Sequence, residues 1–304
     1  YTKKINKKSL AKNKKIKRNT MKILITGGSG FIGTRLVDEL VKENHQIIIY
    51  DKVRSNKYSE FSIVGDVRNK DQLIKVSKDI DIIYNLAAEQ IIFTSSVAIY
   101  GLNRGTPNEN MEAQPFNEYG RTKYEAEKIF LKWQKEEKTN LQIIRPAVVF
   151  GEENRGNVFN LINQIVSGRF AMIGDGLNKK SMGYVGNIAL FLASLKDSNK
   201  NLDIFNFAGK NDLSTKQILD IVIDELKITK KFLTIPYVVG IFGGFLLDII
   251  SKITGKKFPV SVVRVQKFTA ETTVSTKHLF KSGFEEKYSL EDGLRNMIRY
   301  EFKN

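Results

Sequence analysis

The chain has 304 residues, of which 41% are apolar, enough for one large α/β domain or two unequal ones. It contains no cysteine, which excludes disulfides and fits the cytoplasm, and its two distant histidines predict no metal site. The net charge is +16, but nine Lys and Arg residues lie within residues 1–20, which leaves +7 for the rest. We therefore interpret 1–20 as a basic disordered arm, rather than a contact for lipid or nucleic acid, and expect no nucleic-acid partner.

A glycine-rich turn follows the first predicted strand. Residues 22–26 form an apolar run rich in β-branched side chains, and a helical pattern follows Gly33. Such glycines allow a pyrophosphate to approach the backbone at a helix N-terminus, whose N–H groups and dipole would bind it. Asp51 ends the next apolar run, at the spacing expected for binding an adenosine ribose. The glycine turn and Asp51 together predict a dinucleotide site. Asp51 favours NAD, because its carboxylate would repel the 2′-phosphate of NADP. The nearby Lys52 and Arg54 leave NADP open.

Apolar runs and helical patterns alternate between residues 22 and 86. This alternation is typical of a doubly wound parallel sheet, the α/β Rossmann architecture. The predicted strands are 22–26, 46–50, 61–64 and 81–86, with helices near 30–43 and 70–78.

The alternation breaks after residue 86. The next predicted strand, 91–95, follows almost at once, whereas parallel neighbours need a crossover of about a dozen residues or more. Either a crossover helix is missing between 88 and 91, or the two runs are not parallel strands of one sheet. We favour the missing crossover, because both flanks have the pattern of strands.

The remainder of the chain predicts a second, mostly helical region. We expect a Rossmann domain over 21–151 and a smaller substrate-binding domain over 152–304, interleaved with the first. Ser214 and Gln217 have the spacing of a capping box at the start of one helix. The predicted elements are a helix over 122–135, a strand over 141–150, and helices over 158–166, 187–195, 214–226 and 289–302.

Tyr119 and Lys123 are four residues apart, which places both side chains on one face of a helix. A nearby ammonium favours a phenolate over a phenol, so this pair is suited to general acid–base chemistry. The strand end at 94–96 supplies hydroxyl groups at the edge of the sheet where doubly wound folds bind their ligands.

Together these motifs resemble the extended short-chain dehydrogenase/reductase family, which contains NAD-dependent sugar epimerases, dehydratases and reductases. The resemblance extends from residue 21 to about residue 300. It is carried by the glycine turn, Asp51, Gly65-Asp-Val67, Asn85-Leu-Ala-Ala88, Thr94-Ser-Ser-Val-Ala-Ile-Tyr-Gly101, Tyr119 with Lys123, and Ile144-Arg-Pro146.

The resemblance implies NAD as cofactor and a homodimer. In an epimerase of this family, Tyr119 would be the acid and base, Lys123 would hold the nicotinamide ribose, and Ser96 would bind the reacting sugar oxygen. The cofactor-binding residues that it implies are Gly27, Gly30, Phe31, Ile32, Gly33, Asp51, Asp66, Val67, Leu86, Ala87, Ala88, Tyr119, Lys123 and Pro146.

Segments 150–158, 179–187 and 253–258 are similar to the subgroup that acts on undecaprenyl-diphosphate N-acetylglucosamine. This similarity implies a lipid-linked sugar, with Asn157 and Lys180 as further substrate-binding residues. Val148, where many sugar-nucleotide epimerases carry asparagine, and Lys180, near where they carry arginine, weaken the case for a UDP-sugar. A UDP-sugar 4-epimerase, an NAD(P)H-dependent 4-keto-sugar reductase and a catalytically silent cofactor-binding protein remain the alternatives.

An apolar segment over 236–253 is followed by Lys252, Lys256 and Lys257. It is short for a membrane-spanning helix, which needs about 20 apolar residues, and Asp248 interrupts it. Two interpretations remain: peripheral contact with the inner face of the cell membrane, or a buried helix or subunit contact. The subgroup resemblance favours the membrane.

Overall fold

The structure, a computed structural model, describes residues 20–84, 90–102, 104–138, 140–198, 200–256 and 261–303. Within these ranges the strands are β1 (Lys22–Thr26), β2 (Gln46–Asp51), β3 (Ser62–Val64), β4 (Ile82–Tyr84), β5 (Gln90–Thr94), β6 (Asn140–Pro146), β7 (Val148–Phe150), β8 (Ala171–Ile173), β9 (Lys179–Lys180), β10 (Met182–Tyr184), β11 (Leu202–Phe207), β12 (Leu213–Ser214) and β13 (Leu233–Ile235).

Helices flank these strands. In the same ranges they are α1 (Phe31–Leu40), α2 (Lys70–Val76), α3 (Glu118–Glu137), α4 (Asn157–Val166), α5 (Val185–Ser194), α6 (Thr215–Leu226), α7 (Tyr237–Thr254), α8 (Val262–Thr269), α9 (Lys277–Lys281) and α10 (Leu290–Phe302).

Seven of the strands form one parallel sheet in the order β11-β6-β5-β4-β1-β2-β3. The core lies along β1, where Ile23 and Leu24 are fully buried, because its apolar side chains point to both covered faces. The strand order reverses beside β1, and in open α/β sheets ligands bind in the crevice at such a reversal. The predicted doubly wound parallel sheet is therefore confirmed.

The structure differs from the sequence-based expectation in several elements, since the short strands β8, β9, β10, β12 and β13 and the helices α8 and α9 were not predicted. The helix predicted from Thr122 begins at Glu118, because the Asn117 side chain accepts a hydrogen bond from the Gly120 N–H and caps it. The strand predicted over 141–150 is two strands, β6 and β7, which end and begin on either side of Ala147. Strand β11 was not predicted, although it extends the main sheet by pairing with β6. The predicted capping box at the start of α6 is present.

Strands β4 and β5 are parallel neighbours, with Ile82 opposite Gln90 and Ile83 opposite Ile91. The alternative in which these runs are not parallel strands of one sheet is therefore wrong. Residues 85–89, which join them, lie outside the described residues. A five-residue link is shorter than the crossovers that join parallel neighbours, so a missing crossover helix stays a prediction.

Helix α7 is the one helix of the described residues that is long and apolar enough to cross a membrane, judged by length and composition. Only Gly240 and Gly244 are buried, on the side that packs against α8. Val238, Phe242 and Ile253 are exposed by 75%, 62% and 79%. The predicted alternative of a helix buried within its own chain is therefore wrong, because most of this apolar surface is exposed.

Candidate active site

The glycine turn joins β1 to α1 and begins the candidate site. The Gly30 N–H donates to the Gly27 carbonyl oxygen at 3.1 Å, and Gly30 then caps α1. A Cβ atom at Gly33 would lie 2.3 Å from the Gly27 oxygen, so only glycine lets the helix approach the turn this closely. The helix N-terminus therefore faces the crevice with free N–H groups, as pyrophosphate binding requires.

The carboxylate of Asp51, at the end of β2, lies beside this turn. Its Oδ2 accepts a hydrogen bond from the Ser29 N–H at 3.1 Å. On the neighbouring strand end, Asp66 pairs with Arg68 and Lys52, whose charges and hydrogen bonds hold the pKa of the Asp66 carboxyl well below its usual range. Val67 follows with its side chain exposed. The three predicted adenosine-binding residues thus lie on two adjacent strand ends.

Helix α3 carries the predicted acid–base pair. A Cβ atom at Gly120 would lie 2.5 Å from the Ala98 carbonyl oxygen, so this glycine lets the helix pack tightly on the turn that follows β5. That close contact brings Tyr119 and Lys123 to the same cavity as Ser96. The Tyr119 side chain remains 55% exposed, so a ligand can reach its hydroxyl.

The Lys123 ammonium is positioned by a backbone carbonyl group rather than by a carboxylate side chain. Its Nζ donates to the Thr94 carbonyl oxygen at 2.9 Å and lies 5.4 Å from the centre of the Phe93 ring. Burial lowers the pKa of the Lys123 ammonium. The charge therefore lacks a carboxylate partner among the described residues and can act on a ligand hydroxyl or a nearby phenol.

Two serines follow β5 and differ in their hydrogen bonds. The Ser96 hydroxyl oxygen accepts from the Ala98 N–H at 3.2 Å, which leaves its own hydrogen free to donate. The Ser95 hydroxyl is buried and has no hydrogen-bond partner within the described residues, although Ser95 lines the cavity. Ser96 is therefore the serine of this pair whose hydroxyl can donate to a ligand.

One cavity of about 470 Å³ brings the turn and the acid–base pair together. Thr94, part of the strand end predicted to supply hydroxyl groups, also lines it, as does Asn154, to which sequence reasoning gave no role. The predicted residues that line it are Gly27, Phe31, Ile32, Gly33, Ser96, Tyr119, Lys123 and Pro146.

Of the three predicted substrate-binding residues, Ser96 lines this cavity, whereas Asn157 and Lys180 lie outside it. Asn157 is exposed at the first position of α4, so its role stays a prediction. Lys180 donates from Nζ to the Ala270 carbonyl oxygen at 2.8 Å, next to a second cavity of about 290 Å³ that shares Ala147 with the first. Leu86, Ala87 and Ala88 lie outside the described residues.

A buried polar network lies behind the catalytic helix. Arg145 on β6 forms two hydrogen bonds to the Glu127 carboxylate, at 3.0 and 2.7 Å. It also donates to the Tyr100 hydroxyl at 2.7 Å, and that hydroxyl donates to the Asn206 side-chain oxygen at 2.7 Å. The network therefore ties α3, the turn after Ser96 and strand β11 together.

The same network holds the loop that lines the second cavity. Arg145 donates to the Glu109 carbonyl oxygen at 3.1 Å, and the Asn206 side chain donates to the Pro107 carbonyl oxygen at 3.3 Å. Sequence reasoning placed Arg145 in a motif but gave Glu127 no role. Their contact joins residues on different elements, and no spacing rule predicts it.

The residues present fit a dinucleotide. Within the described residues, the close-packed glycine turn and Lys123 line one cavity, and the Asp51 carboxylate lies beside the turn, where it accepts from the Ser29 N–H. Gly27 and Gly33 would hold the pyrophosphate, Asp51 the adenosine ribose and Lys123 the nicotinamide ribose. In the described residues no three His, Asp or Glu side chains converge as a metal site.

We expect Asp51→Asn to lower NAD affinity by about 10- to 100-fold, because a carboxylate hydrogen bond of about 1.5–3 kcal/mol is weakened. The same change removes the charge that repels a 2′-phosphate, so NADP affinity should rise. Fluorescence titration with NAD and with NADP measures the ratio of the two dissociation constants. Unchanged preference for NAD would contradict the role given to Asp51.

Comparison with known sequences agrees with this geometry. The profile of the NAD dependent epimerase/dehydratase family matches residues 23–92 and 87–208. The chain is 40% identical over 315 residues to N-acetyl-alpha-D-glucosaminyl-diphospho-ditrans,octacis-undecaprenol 4-epimerase of Escherichia coli O157:H7, covering 92% of this chain and 95% of that protein.

Solved structures share the fold. UDP-glucose 4-epimerase of Thermotoga maritima, solved with UDP-glucose, is 19% identical, with a TM-score of 0.71 and coverage of 93% of this chain and 99% of that one. UDP-glucuronic acid 4-epimerase of Bacillus cereus, solved with NAD, is 20% identical, with a TM-score of 0.71 and coverage of 92% and 98%. By its sequence, and in agreement with the fold, this chain belongs to the NAD-dependent epimerase/dehydratase family.

Proposed function

We propose that the protein is a sugar 4-epimerase that interconverts N-acetylglucosamine and N-acetylgalactosamine linked to a polyprenyl diphosphate, for surface polysaccharide synthesis. The observation that carries this proposal is the 40% identity to the undecaprenol-linked epimerase over nearly the full length of both chains. The site supports it, because the acid–base pair, the serine hydroxyl and the glycine turn border one cavity.

The residues divide the chemistry among them. Tyr119 removes the proton from the sugar 4-hydroxyl and returns it after the ring has turned over. Lys123 holds its charge beside the phenol, and Ser96 donates its free hydrogen to the sugar oxygen. NAD, when bound, supplies the reversible oxidation and reduction at sugar C4. Because the cofactor is regenerated within each turnover, the enzyme needs no added cofactor.

Two rival activities use the same residues, and they differ in what they consume. A UDP-sugar 4-epimerase would act on the nucleotide-linked sugar, and a 4-keto-sugar reductase would consume NAD(P)H stoichiometrically. Val148 lines the second cavity. Its apolar side chain cannot form a hydrogen bond to a sugar or to a uridine diphosphate, which weakens the case for a UDP-sugar. A catalytically silent cofactor-binding protein would retain NAD without turning over any sugar.

A side-by-side assay separates these activities. The full chain is incubated with polyprenyl-diphosphate-GlcNAc and with UDP-GlcNAc, without added cofactor, and the two hexosamines are resolved after mild acid release. We expect conversion of the lipid-linked sugar. Conversion of UDP-GlcNAc alone would overturn the choice of substrate, and conversion of neither would favour the reductase or the silent protein.

Lys180 is the proposed contact for the substrate diphosphate. Among the described residues its ammonium has no ion-pair partner, and burial lowers its pKa below the ordinary value of 10.5. A lysine carries its charge below its pKa, so the free enzyme should lose affinity for the diphosphate as pH rises through this lowered value. We expect kcat/KM to fall at alkaline pH, and Lys180→Arg to move that fall to higher pH, because arginine stays charged. An unchanged pH profile in Lys180→Arg would contradict this contact.

We also propose that α7 rests on the inner face of the cell membrane. Its apolar side chains are exposed along most of its length, and Lys252 lies in its last turn, with Lys256 just beyond. A helix binds an anionic bilayer when its apolar side chains insert into the lipid and nearby lysines interact with the anionic headgroups. The protein would then be a cytoplasmic enzyme that meets its substrate at the lipid surface.

Sedimentation with liposomes tests this contact. We expect the protein to pellet with vesicles containing anionic lipid at low salt and to be partly released at high salt. Phe242→Glu should abolish pelleting, whereas Ile129→Glu, which removes a comparably exposed apolar side chain from α3, should not. If Phe242→Glu pelleted as well as the wild type, α7 would not be the contact, and a subunit interface would be favoured.

Finally, we propose that a crossover helix is missing between β4 and β5. The family profile matches in two pieces, 23–92 and 87–208, which overlap at residues 87–92. The alignment with the undecaprenol-linked epimerase spans 315 residues, more than the 304 of this chain, so that relative has residues that this chain lacks. The peptide Asp79–Arg104 tests the proposal, since trypsin releases it whole. From the natural source we expect no peptide of this sequence mass, because the missing residues would add mass or a cleavage site, and its detection would contradict the omission.

A further inference from the structure

Three cavities follow one another from the catalytic helix to α7. The first, lined by Tyr119, shares Ala147 with the second. The second shares Ala270 with a third cavity, of about 460 Å³, whose wall includes Tyr237, the first residue of α7. The second and third cavities therefore continue the catalytic cavity toward α7, beyond the residues that the acid–base chemistry uses.

The second cavity is lined by one cation and one carboxylate, Arg104 and Glu271, and Lys180 adds a further cation where this cavity meets the third. The Lys180 ammonium donates to the carbonyl oxygen of Ala270, the residue that the second and third cavities share. The third cavity carries a carboxylate, Asp175, and the neutral side chains of Ile173, Tyr237, Gln266 and Thr269. An anionic diphosphate is thus stabilised at Lys180 and repelled beyond it, whereas a neutral chain can continue.

The route ends at an apolar surface. Beyond Tyr237, which lines the third cavity, the side chains of Val238, Val239 and Phe242 are exposed on α7. Their buried neighbours, Gly240 and Gly244, pack on α8, so the apolar side chains point away from the protein. A hydrocarbon chain leaving the third cavity would therefore meet apolar side chains.

We propose that the third cavity is the exit for the polyprenyl chain of the substrate. The sugar lies at Ser96 and Tyr119, the diphosphate stops at Lys180, and the first isoprene units pass Thr269 and Tyr237 toward the bilayer. This inference rests on the proposed lipid-linked substrate and adds where its tail leaves the enzyme.

A steric block tests the exit. Thr269→Trp fills the third cavity, and Val263→Trp places the same side chain on the exposed face of α8, outside it. KM is measured for GlcNAc diphosphates bearing a polyprenyl chain or only an ethyl group. We expect Thr269→Trp to raise KM for the polyprenyl substrate by about tenfold or more, the equivalent of about 1.4 kcal/mol, and the ethyl substrate and Val263→Trp to be unaffected.

Other outcomes overturn the exit. An equal rise for both substrates, or no rise for either, would mean that the chain leaves elsewhere. If wild type converted only UDP-GlcNAc, the proposed function itself would fail. Should Thr269→Trp not fold, a GlcNAc diphosphate with a benzophenone in its first isoprene unit is crosslinked to wild type. Labelling of Gln266–Ala270 or Tyr237 supports the exit, and labelling only elsewhere contradicts it.

Discussion

Tyr119→Phe is expected to lower kcat by about 10²- to 10⁴-fold, the usual contribution of general acid–base catalysis. The change removes one hydroxyl from a half-exposed side chain on the cavity wall, so folding and NAD retention should persist. Tyr124→Phe, which removes a hydroxyl from the same helix away from the cavity, is the matched control and should keep wild-type turnover.

The measurement is the steady-state rate on the lipid-linked sugar, with bound NAD quantified after denaturation. Lost turnover with NAD retained is the expected pattern. Wild-type turnover in Tyr119→Phe would remove Tyr119 from the mechanism, whereas loss of NAD as well would assign it a binding role.

Glu127→Gln is expected to destabilise the fold by about 3–5 kcal/mol, because it leaves the buried Arg145 guanidinium without a carboxylate. Both side chains are almost fully buried, and their two hydrogen bonds are 2.7 and 3.0 Å long. The midpoint of thermal unfolding should fall by roughly 10 °C. The control is Glu125→Gln on the same helix, whose ion pair with Lys128 is solvent-exposed and should contribute about 0–1 kcal/mol.

Thermal or denaturant unfolding of both variants measures this difference. If the two variants unfolded alike, the buried pair would not hold α3 against β6. The same network holds the backbone of Pro107 and Glu109, so Glu127→Gln should also raise KM for the substrate. The folded fraction is measured in parallel, so that a rise in KM can be separated from unfolding.

The elements that sequence predicted best were those whose signals are local. The turn at Gly27–Gly33, the capping box at Ser214 and the helices that bury one face all depend on residues a few positions apart. The start of α3 was placed four residues late, because the apolar periodicity begins after the Asn117 cap.

What sequence could not provide depends on distant contacts. Strand β11 was missed, although its apolar run before Gly209 could have indicated it, because its place is set by pairing with β6. The Tyr100–Asn206 hydrogen bond joins residues 106 positions apart, and nothing in either local sequence announces it. Lys180 has no ion-pair partner among the described residues, and its contact with the Ala270 carbonyl oxygen likewise emerges only when the segments fold together.

In the proposed reaction, the protein inverts C4 of a lipid-linked sugar and regenerates its cofactor in each turnover. The most direct test is turnover of polyprenyl-diphosphate-GlcNAc labelled with deuterium at C4, with no cofactor added. We expect GalNAc product that retains the deuterium at C4, because the atom removed is returned to the opposite face of the sugar. Product that has lost the label, or no product until NAD(P)H is supplied, would contradict it.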